Sequence, residues 1–474
     1  MDRDRARAAS DRRFLSPAEV AAWPPGGTAP PGDDLYQPVR AALRRNGLWG
    51  PLQVAGRHLP IGCVALEITQ RCNLDCELCY LSEHSDAVHD LPLEEVFRRI
   101  DLIERHYGAG THVQVTGGDP TLRRRDELIA IVARLAARGM RPALFTNGIK
   151  ASRDLLSELA SVGLNDVAFH VDTTQRRRGY ASEAALNQIR LKYIEAARGL
   201  SLHILFNTTV TQANLAEVPD LVRFFIAHAD AVHLASFQLQ ADTGRGVLGK
   251  ADPGVTQRSL IALINQGAGV DLGFDFPMIG HPECNRYTGC LVAGAAVAPL
   301  FDDEGFFARL LASTRGYAFE RHDKLALLRS CLAVSLRNPG LWSRGIAYAA
   351  RKLWHLRRGL IRSWGRVHKL SFHVHHFMDA DRLERSRCES CVFMTMTRNG
   401  PISMCVHNAK RDVFILEPVS LRVADGRAFW DPLQGRIGAK PDASPPDPST
   451  YPLKRLKGRA RARMLAQRAT ERAT

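Results

Sequence analysis

The stretch LEITQRCNLDCELCYLSEHSDAVH, residues 66–89, sets Cys72, Cys76 and Cys79 in a C-x3-C-x2-C array, with His84 and His89 close behind. Two chemistries compete for these side chains. Cys76, Cys79, His84 and His89 have spacings that would close a four-ligand zinc site. Alternatively, three thiolates from one loop hold three irons of a [4Fe–4S] cube and leave the fourth iron open as a reaction site. The setting favours the second. A zinc knuckle would stand on a short loop-rich module and leave Cys72 unused, whereas this triad directly follows a strand in a repeating strand–helix array.

That array supplies the elements that must position the triad. From about residue 62, β-rich runs (CVALEIT, HVQV, PALFT, DVAFHV, LHILFNTTV, AVHLASF) alternate with helical stretches such as PLEEVFRRIDLIERHY, DELIAIVARLAARG and VPDLVRFFIAHA. Six rounds of strand then helix predict an α/β fold with a parallel sheet, curled into a partial (β/α)6 barrel or left open. In such folds ligands sit at the C-terminal ends of the strands, where the motifs of this chain fall.

Several of those motifs resemble the radical S-adenosylmethionine (SAM) enzymes. The match covers about residues 63–240. Besides the cysteine loop after strand one, VTGGDPT lies on strand two, FTNG follows strand three, FHVD lies on strand four and FNTTV on strand five. The resemblance implies a [4Fe–4S] cluster on Cys72, Cys76 and Cys79, and SAM held near Gly117, Gly118 and Asp119 with pocket roles for Asn147, His170 and Asn207. Gly117 and Gly118 lack a Cβ and so permit close backbone approach. Two positions depart from the family pattern: Asp119 stands where Glu is commoner, and Leu78, carried as a SAM contact, stands where an aromatic is commoner, with Tyr80 two places on. The implied chemistry is SAM chelation to the open iron, one-electron cleavage of a carbon–sulfur bond, and hydrogen abstraction by a 5′-deoxyadenosyl radical. An electron donor such as flavodoxin or ferredoxin is the implied partner. No general acid or base is assigned.

Seven further cysteines need an account. Cys63 and Cys331 read as small buried hydrophobes. Cys284, Cys290, Cys388, Cys391 and Cys405 cluster in two short runs and are expected to hold an auxiliary Fe–S cluster. Five cysteines compete there for four places, with His407 a further candidate. The run at 375–408, HHFMDADRLERSRCESCVF to GPISMCVHN, more loosely resembles relatives of the archaeal tetraether-lipid synthases, which implies a lipid-active branch.

A chain of 474 residues that is 45% hydrophobic buries a large core. Ten cysteines are too sparse for a disulfide scaffold and favour a cytoplasmic, reducing setting. The charged start MDRDRARAASDRRF has no apolar stretch behind it and no run reaches a membrane span, so a protein neither secreted nor membrane-spanning is expected. The net charge of +15 sits in two places: residues 341–369 carry eight Lys/Arg and no acid, and 453–474 carry eight Lys/Arg and one acid. Both segments are expected to meet an anionic partner. In the first, Ala349, Leu353, Leu356, Leu360, Trp364 and Val367 form one stripe and Arg351, His355, Arg358, Arg362 and Arg366 the opposite one, as in a helix at a lipid headgroup boundary. A solvated face and a nucleic-acid surface are the competing readings.

The expected organisation is a disordered lead-in at 1–40, the βα core at 41–240, a linker with a cysteine pair at 241–300, and a basic helical region at 301–380. A cysteine segment follows at 381–425, then a Pro-rich linker and basic tail at 426–474. Lipid modification is the favoured function, ahead of a peptide, nucleoside or small metabolite substrate. A non-catalytic zinc or nucleic-acid binding protein is the alternative of another class.

Overall fold

A computed structural model describes residues 13–26, 34–314, 324–423, 426–439 and 456–473. The first twelve residues and the Pro-rich run KPDASPPDPSTYP lie outside these, as does the side chain of Cys331.

The six expected strands form β1 (Cys63–Thr69), β2 (His112–Gly117), β3 (Arg141–Thr146), β4 (Asp166–His170), β5 (His203–Val210) and β6 (Val232–Leu239). They lie side by side in that order, each parallel to the next. A helix follows each, from Leu93–Tyr107 after β1 to Gln257–Ala268 after β6. The two-residue period of a strand decides which face meets them. Val64, Leu66 and Ile68 pack on Val96, Ile100 and Ile103 of the first helix in the main core, which leaves Ala65, Glu67 and Thr69 on the other face. Helix starts are fixed locally: Ser152 and Ser182 accept from the backbone N–H of Leu155 and Ala185.

The sheet does not stop at residue 240. Strands β7 (Asn285–Ala293), β8 (Ala296–Pro299), β9 (His368–His376), β10 (Phe393–Thr397) and β11 (Gly400–Ser403) complete an eleven-stranded order β11-β10-β1-β2-β3-β4-β5-β6-β9-β7-β8. Residues 285–299, expected to be part of a linker, are thus sheet. The lead-in needs a similar correction: Pro17–Ala22 and Gln37–Arg45 are helical, and Phe14 bridges to Glu384. β9 extends the parallel array beside β6, and β10 does so beside β1. No hydrogen-bonded closure joins the two ends among the described residues. β9 and β10 meet instead through side chains, with the rings of His375 and His373 at 4.9 and 5.8 Å from that of Phe393.

The basic region contains the helix Gly340–Arg362. It does not present the expected stripe. Leu356 and Leu360 turn inward onto Ala293, Ala296 and Ala298 of the β7–β8 hairpin, and Tyr348 stacks on Phe306. Gly359, which reads as a helix weakener, is what allows the approach: a Cβ there would lie 2.1 Å from the Ala293 carbonyl oxygen. Gly359→Ala is therefore expected to destabilise the protein by about 1–3 kcal/mol through overpacking. Gly345→Ala, whose Cβ would meet Phe306 no closer than 3.9 Å, should be neutral or slightly stabilising. Thermal unfolding midpoints of the two variants check the contrast.

Candidate active site

The loop after β1 has no regular structure of its own, so other segments must satisfy its backbone. The glycine motif after β2 holds its start: Gly118 N–H donates to Thr69 O and Asp119 N–H to Arg71 O, both at 2.8 Å. A short turn after β4 holds its middle, with Glu77 N–H on Thr174 O at 2.9 Å. Residues 244–247 hold its far side: Arg245 N–H donates to Leu81 O at 2.8 Å, Val247 N–H to Glu77 O at 2.7 Å, and Gly244 bridges to Cys79. Cys72, Cys76 and Cys79 are half-buried free thiols. Burial raises the pKa of Cys72 and Cys76, and neighbouring triad thiols raise both further.

The glycine pair serves this loop directly. A Cβ on Gly117 would lie 1.9 Å from Thr69 O, and one on Gly118 2.0 Å from Arg71 O, so the close approach is to the chain's own backbone. The Tyr80 hydroxyl donates to Gly117 O at 2.7 Å. Asp119 is buried and fully engaged: its carboxylate accepts from Thr146 Oγ1 at 2.9 Å, Asn147 N–H at 2.8 Å and Thr121 N–H at 3.0 Å. Asn147 Nδ2 in turn donates to Asn73 at 2.6 Å and lies 3.9 Å from Cys72 Sγ. His170 and Asn207 are register partners on β4 and β5. The His170 ring meets Asp172 at 2.7 Å and Thr209 at 3.1 Å. Burial alone would raise the pKa of Asp172, but the His170 imidazole and hydrogen bonds from Thr174 and Thr209 bring it down to about 2. Leu78 sits in the same loop, beside Gly246.

The zinc alternative is not assembled. Among the described residues no three His, Cys, Asp or Glu side chains converge as a single metal ion requires. His84 faces Asp412 at 3.8 Å, and the His89 ring lies against Gly435. The side chain that sequence reasoning missed is Arg245. It is 1% exposed, with one nitrogen on Asp86 and its Nε and Nη2 buried without a hydrogen-bond partner. Burial would lower its pKa, but Cys79 and Asp86 beside it raise it overall. A guanidinium with two nitrogens unsatisfied, set against three soft thiol donors, fits an anionic thiolate-bound cluster, because it compensates the negative charge that such a group brings.

The second cysteine set converges in part. Cys284, Cys391 and Cys405 line one small cavity, and Cys388 is near enough to all three that they act together, after burial, to raise its pKa. Burial pushes Cys284 up to about 11 and Cys405 to about 12. Arg387 Nε lies 3.1 Å from Cys284 Sγ, and His375 Nε2 and Ser403 Oγ are orphaned on the cavity wall. Cys290 is a correction: it lies in β7 between Leu370 and Pro299, inside the apolar core and away from this group. His407 is turned elsewhere too. Its ring stacks on Phe414 and lines a different cavity with Glu67, and burial lowers its pKa to about 3.

The engagement of Asp119 makes a discriminating prediction. Asp119→Ala leaves two buried donors, Thr146 Oγ1 and the Asn147 N–H, and the part-buried Thr121 N–H without an acceptor, at about 1–3 kcal/mol for each buried one, so the unfolding midpoint should fall by several degrees. Loss of SAM affinity with unchanged stability would instead make Asp119 a ligand contact.

Comparison with known proteins agrees with the loop geometry. Residues 66–225 match the model of the radical SAM superfamily. The chain is 27% identical over 186 residues to the 7,8-dihydro-6-hydroxymethylpterin dimethyltransferase of Methanocaldococcus jannaschii, covering 38% of this chain and 36% of that protein. It is 30% identical over 168 residues to a probable GTP 3′,8-cyclase of Pyrococcus abyssi (35% and 53%). A PqqA peptide cyclase of Bradyrhizobium diazoefficiens is 28% identical over 180 residues (37% and 46%). The chain thus spans about a third to a half of these relatives' own lengths. Among solved structures, Streptococcus suis SuiB bound to SAM aligns at 16% identity and a TM-score of 0.35, over 47% of this chain and 48% of that one; a likeness that low carries no weight. The looser likeness of residues 375–408 to tetraether-lipid enzymes is not borne out by these relatives. Where the cysteine loop, the glycine motif and the parallel βα array coincide, over residues 66–225, the chain carries a radical SAM domain.

Proposed function

We propose that this chain cleaves SAM reductively at a [4Fe–4S] cluster held by Cys72, Cys76 and Cys79, and abstracts hydrogen from the hydrocarbon of a lipid. The observation that supports the reaction is the triad itself, three free thiols on one loop beside the buried, only partly satisfied Arg245 guanidinium. When bound, the cluster and SAM supply a 5′-deoxyadenosyl radical able to attack an unactivated C–H bond. The protein's share is placement. The backbone of residues 118–119 and 245–247 fixes the loop, Asn147 and Asn73 brace Cys72, and Arg245 sets positive charge beside Cys79. His170, locked by Asp172 and Thr209, and Asn207 lie on adjacent strand ends where SAM would be held. Cys284, Cys388, Cys391 and Cys405 are the ligand set for an auxiliary cluster, because three thiols lining one cavity with a fourth close by fit a multi-iron group. Flavodoxin or ferredoxin is the kind of electron donor the reaction needs, and a cytoplasmic setting suits such partners.

The lipid reading rests on the helix Gly340–Arg362 and the turn after it. Trp342, Ile346, Leu353, Trp354, Ile361 and Trp364 are all exposed, Trp364 at 92%. Their spacing puts them on one stripe, with Arg344, Arg351, Arg358 and Arg362 running beside it. An apolar, Trp-rich stripe next to a basic one suits the boundary of an anionic bilayer, with about 1 kcal/mol for each basic residue near the surface. No helix among the described residues is long and apolar enough to cross a membrane. The second reading is a water-soluble substrate, favoured by relatives named for a pterin, GTP and a peptide. Nucleic acid is the weaker partner for the same stripe.

Two measurements test these assignments. Protein purified without oxygen should carry more than about four iron per chain. The Cys72/Cys76/Cys79→Ala variant should lose SAM cleavage and retain about four iron, and Cys391→Ser added to it should lower that further. Iron near zero in the triple variant would remove the auxiliary cluster. For the substrate, the intact protein should co-sediment with vesicles rich in phosphatidylglycerol, more weakly as salt rises. The Trp354→Ser/Trp364→Ser variant should bind several-fold more weakly. Equal binding by both, or none at low salt, would make the soluble substrate the better reading.

A further inference from the structure

The second basic segment finds partners inside the molecule. Residues 70–90 carry Asp75, Glu77, Glu83, Asp86 and Asp90 against a single Arg71, so the cysteine loop is strongly acidic. Against it lies the start of the helix Gly458–Ala473. Lys457 Nζ donates to the carbonyl of Cys72 and pairs with Asp86 at 3.1 Å. Gly458 N–H donates to Asp75 at 2.9 Å, Arg461 pairs with the same carboxylate at 3.3 Å, and Arg463 with Glu83 at 2.6 Å. Arg459 reaches the other wall of the triad: its N–H donates to Arg245 O at 3.1 Å, and its guanidinium binds Gly246 O and Asp242. Leu456 and Ala460 are buried beneath.

We propose that residues 456–463 are an electrostatic lid over the cysteine triad, bridging loop 72–86 to segment 242–246 and limiting how fast solutes reach the cluster. The proposal rests on the triad being the cluster site. The outer contacts are partly exposed ion pairs, which are individually weak and salt-sensitive. An apolar plug of the same size would close for good, whereas pairs of this kind open and reclose. The arrangement also balances charge, since a basic segment neutralises an acidic loop that must accept an anionic metal group.

The test is the rate at which bathophenanthroline disulfonate strips iron from anaerobically prepared full-length protein, a chain ending at residue 455, and the Lys457→Gln/Arg459→Gln variant. The informative kinetic phase is the one missing from the Cys72/Cys76/Cys79→Ala protein. In low salt that phase should be several-fold faster in the shortened chain and in the double variant than in the intact protein. Arg468→Gln, on the exposed part of the helix, should match the intact protein. Rising salt should speed the intact protein toward the shortened one and leave the shortened one unchanged. Equal rates in all forms, or no salt response in the intact chain, would overturn the lid. If no form shows the phase, the cluster assignment fails, and the lid with it.

Discussion

A loop that must present three thiols cannot spend its backbone on a helix or a ladder, and yet its N–H and C=O groups still need partners. That constraint organises the C-terminal end of this sheet. The glycine pair, the turn after β4 and residues 244–247 each donate to or accept from residues 69–81. Gly117 and Gly118 are glycines because the loop's carbonyls occupy the space of their Cβ atoms. Asp119 then ties this junction to the end of β3 through Thr146 and Asn147. The motifs that look like ligand contacts in one dimension are, in three, also the scaffold of one another.

This explains what was legible in the sequence. The six strands and their helices follow from local periodicity, and CVALEIT or LHILFNTTV declare themselves within a few residues. β9 was hidden because its alternation sets Leu370, Phe372 and Val374 against Ser371, His373 and His375, a polar-looking run whose apolar face shows only once β6 lies beside it. Arg245 carried no local signal: its meaning comes from Cys79, far away along the chain. The competition among five cysteines was unresolvable for the same reason, since only the pairing of β7 with β9 turns Cys290 into the core. The helix at 340–362 is amphipathic, but the hairpin against which it packs turns Leu356 and Leu360 of the expected apolar stripe to its inward face.

The two ends of the parallel array meet without a ladder. His373 and His375 from β9 and Phe393 from β10 make the seam, and the cavity walled by Cys284, Cys391 and Cys405 includes His375 and Phe393. Both flanking strands come from the C-terminal half of the chain, so the curved wall is finished by residues that belong to none of the six repeats. Buried charge binds the same halves elsewhere. Arg411 grips Glu67 of β1 at 2.6 Å, and although burial would raise the Glu67 pKa, Arg411 and His407 hold it at about 2.

The bond from Lys457 to the Cys72 carbonyl spans 385 positions. Its consequence lies in biosynthesis. At 5–20 residues per second a ribosome needs roughly 20–80 s to travel that interval, during which the βα array has time to fold around a loop whose outer edge is still bare. If residues 456–463 cap the triad as proposed, metal delivered in that interval would meet an open site and metal delivered afterwards a covered one, so the distance between two residues that end up in contact would set a time window for loading.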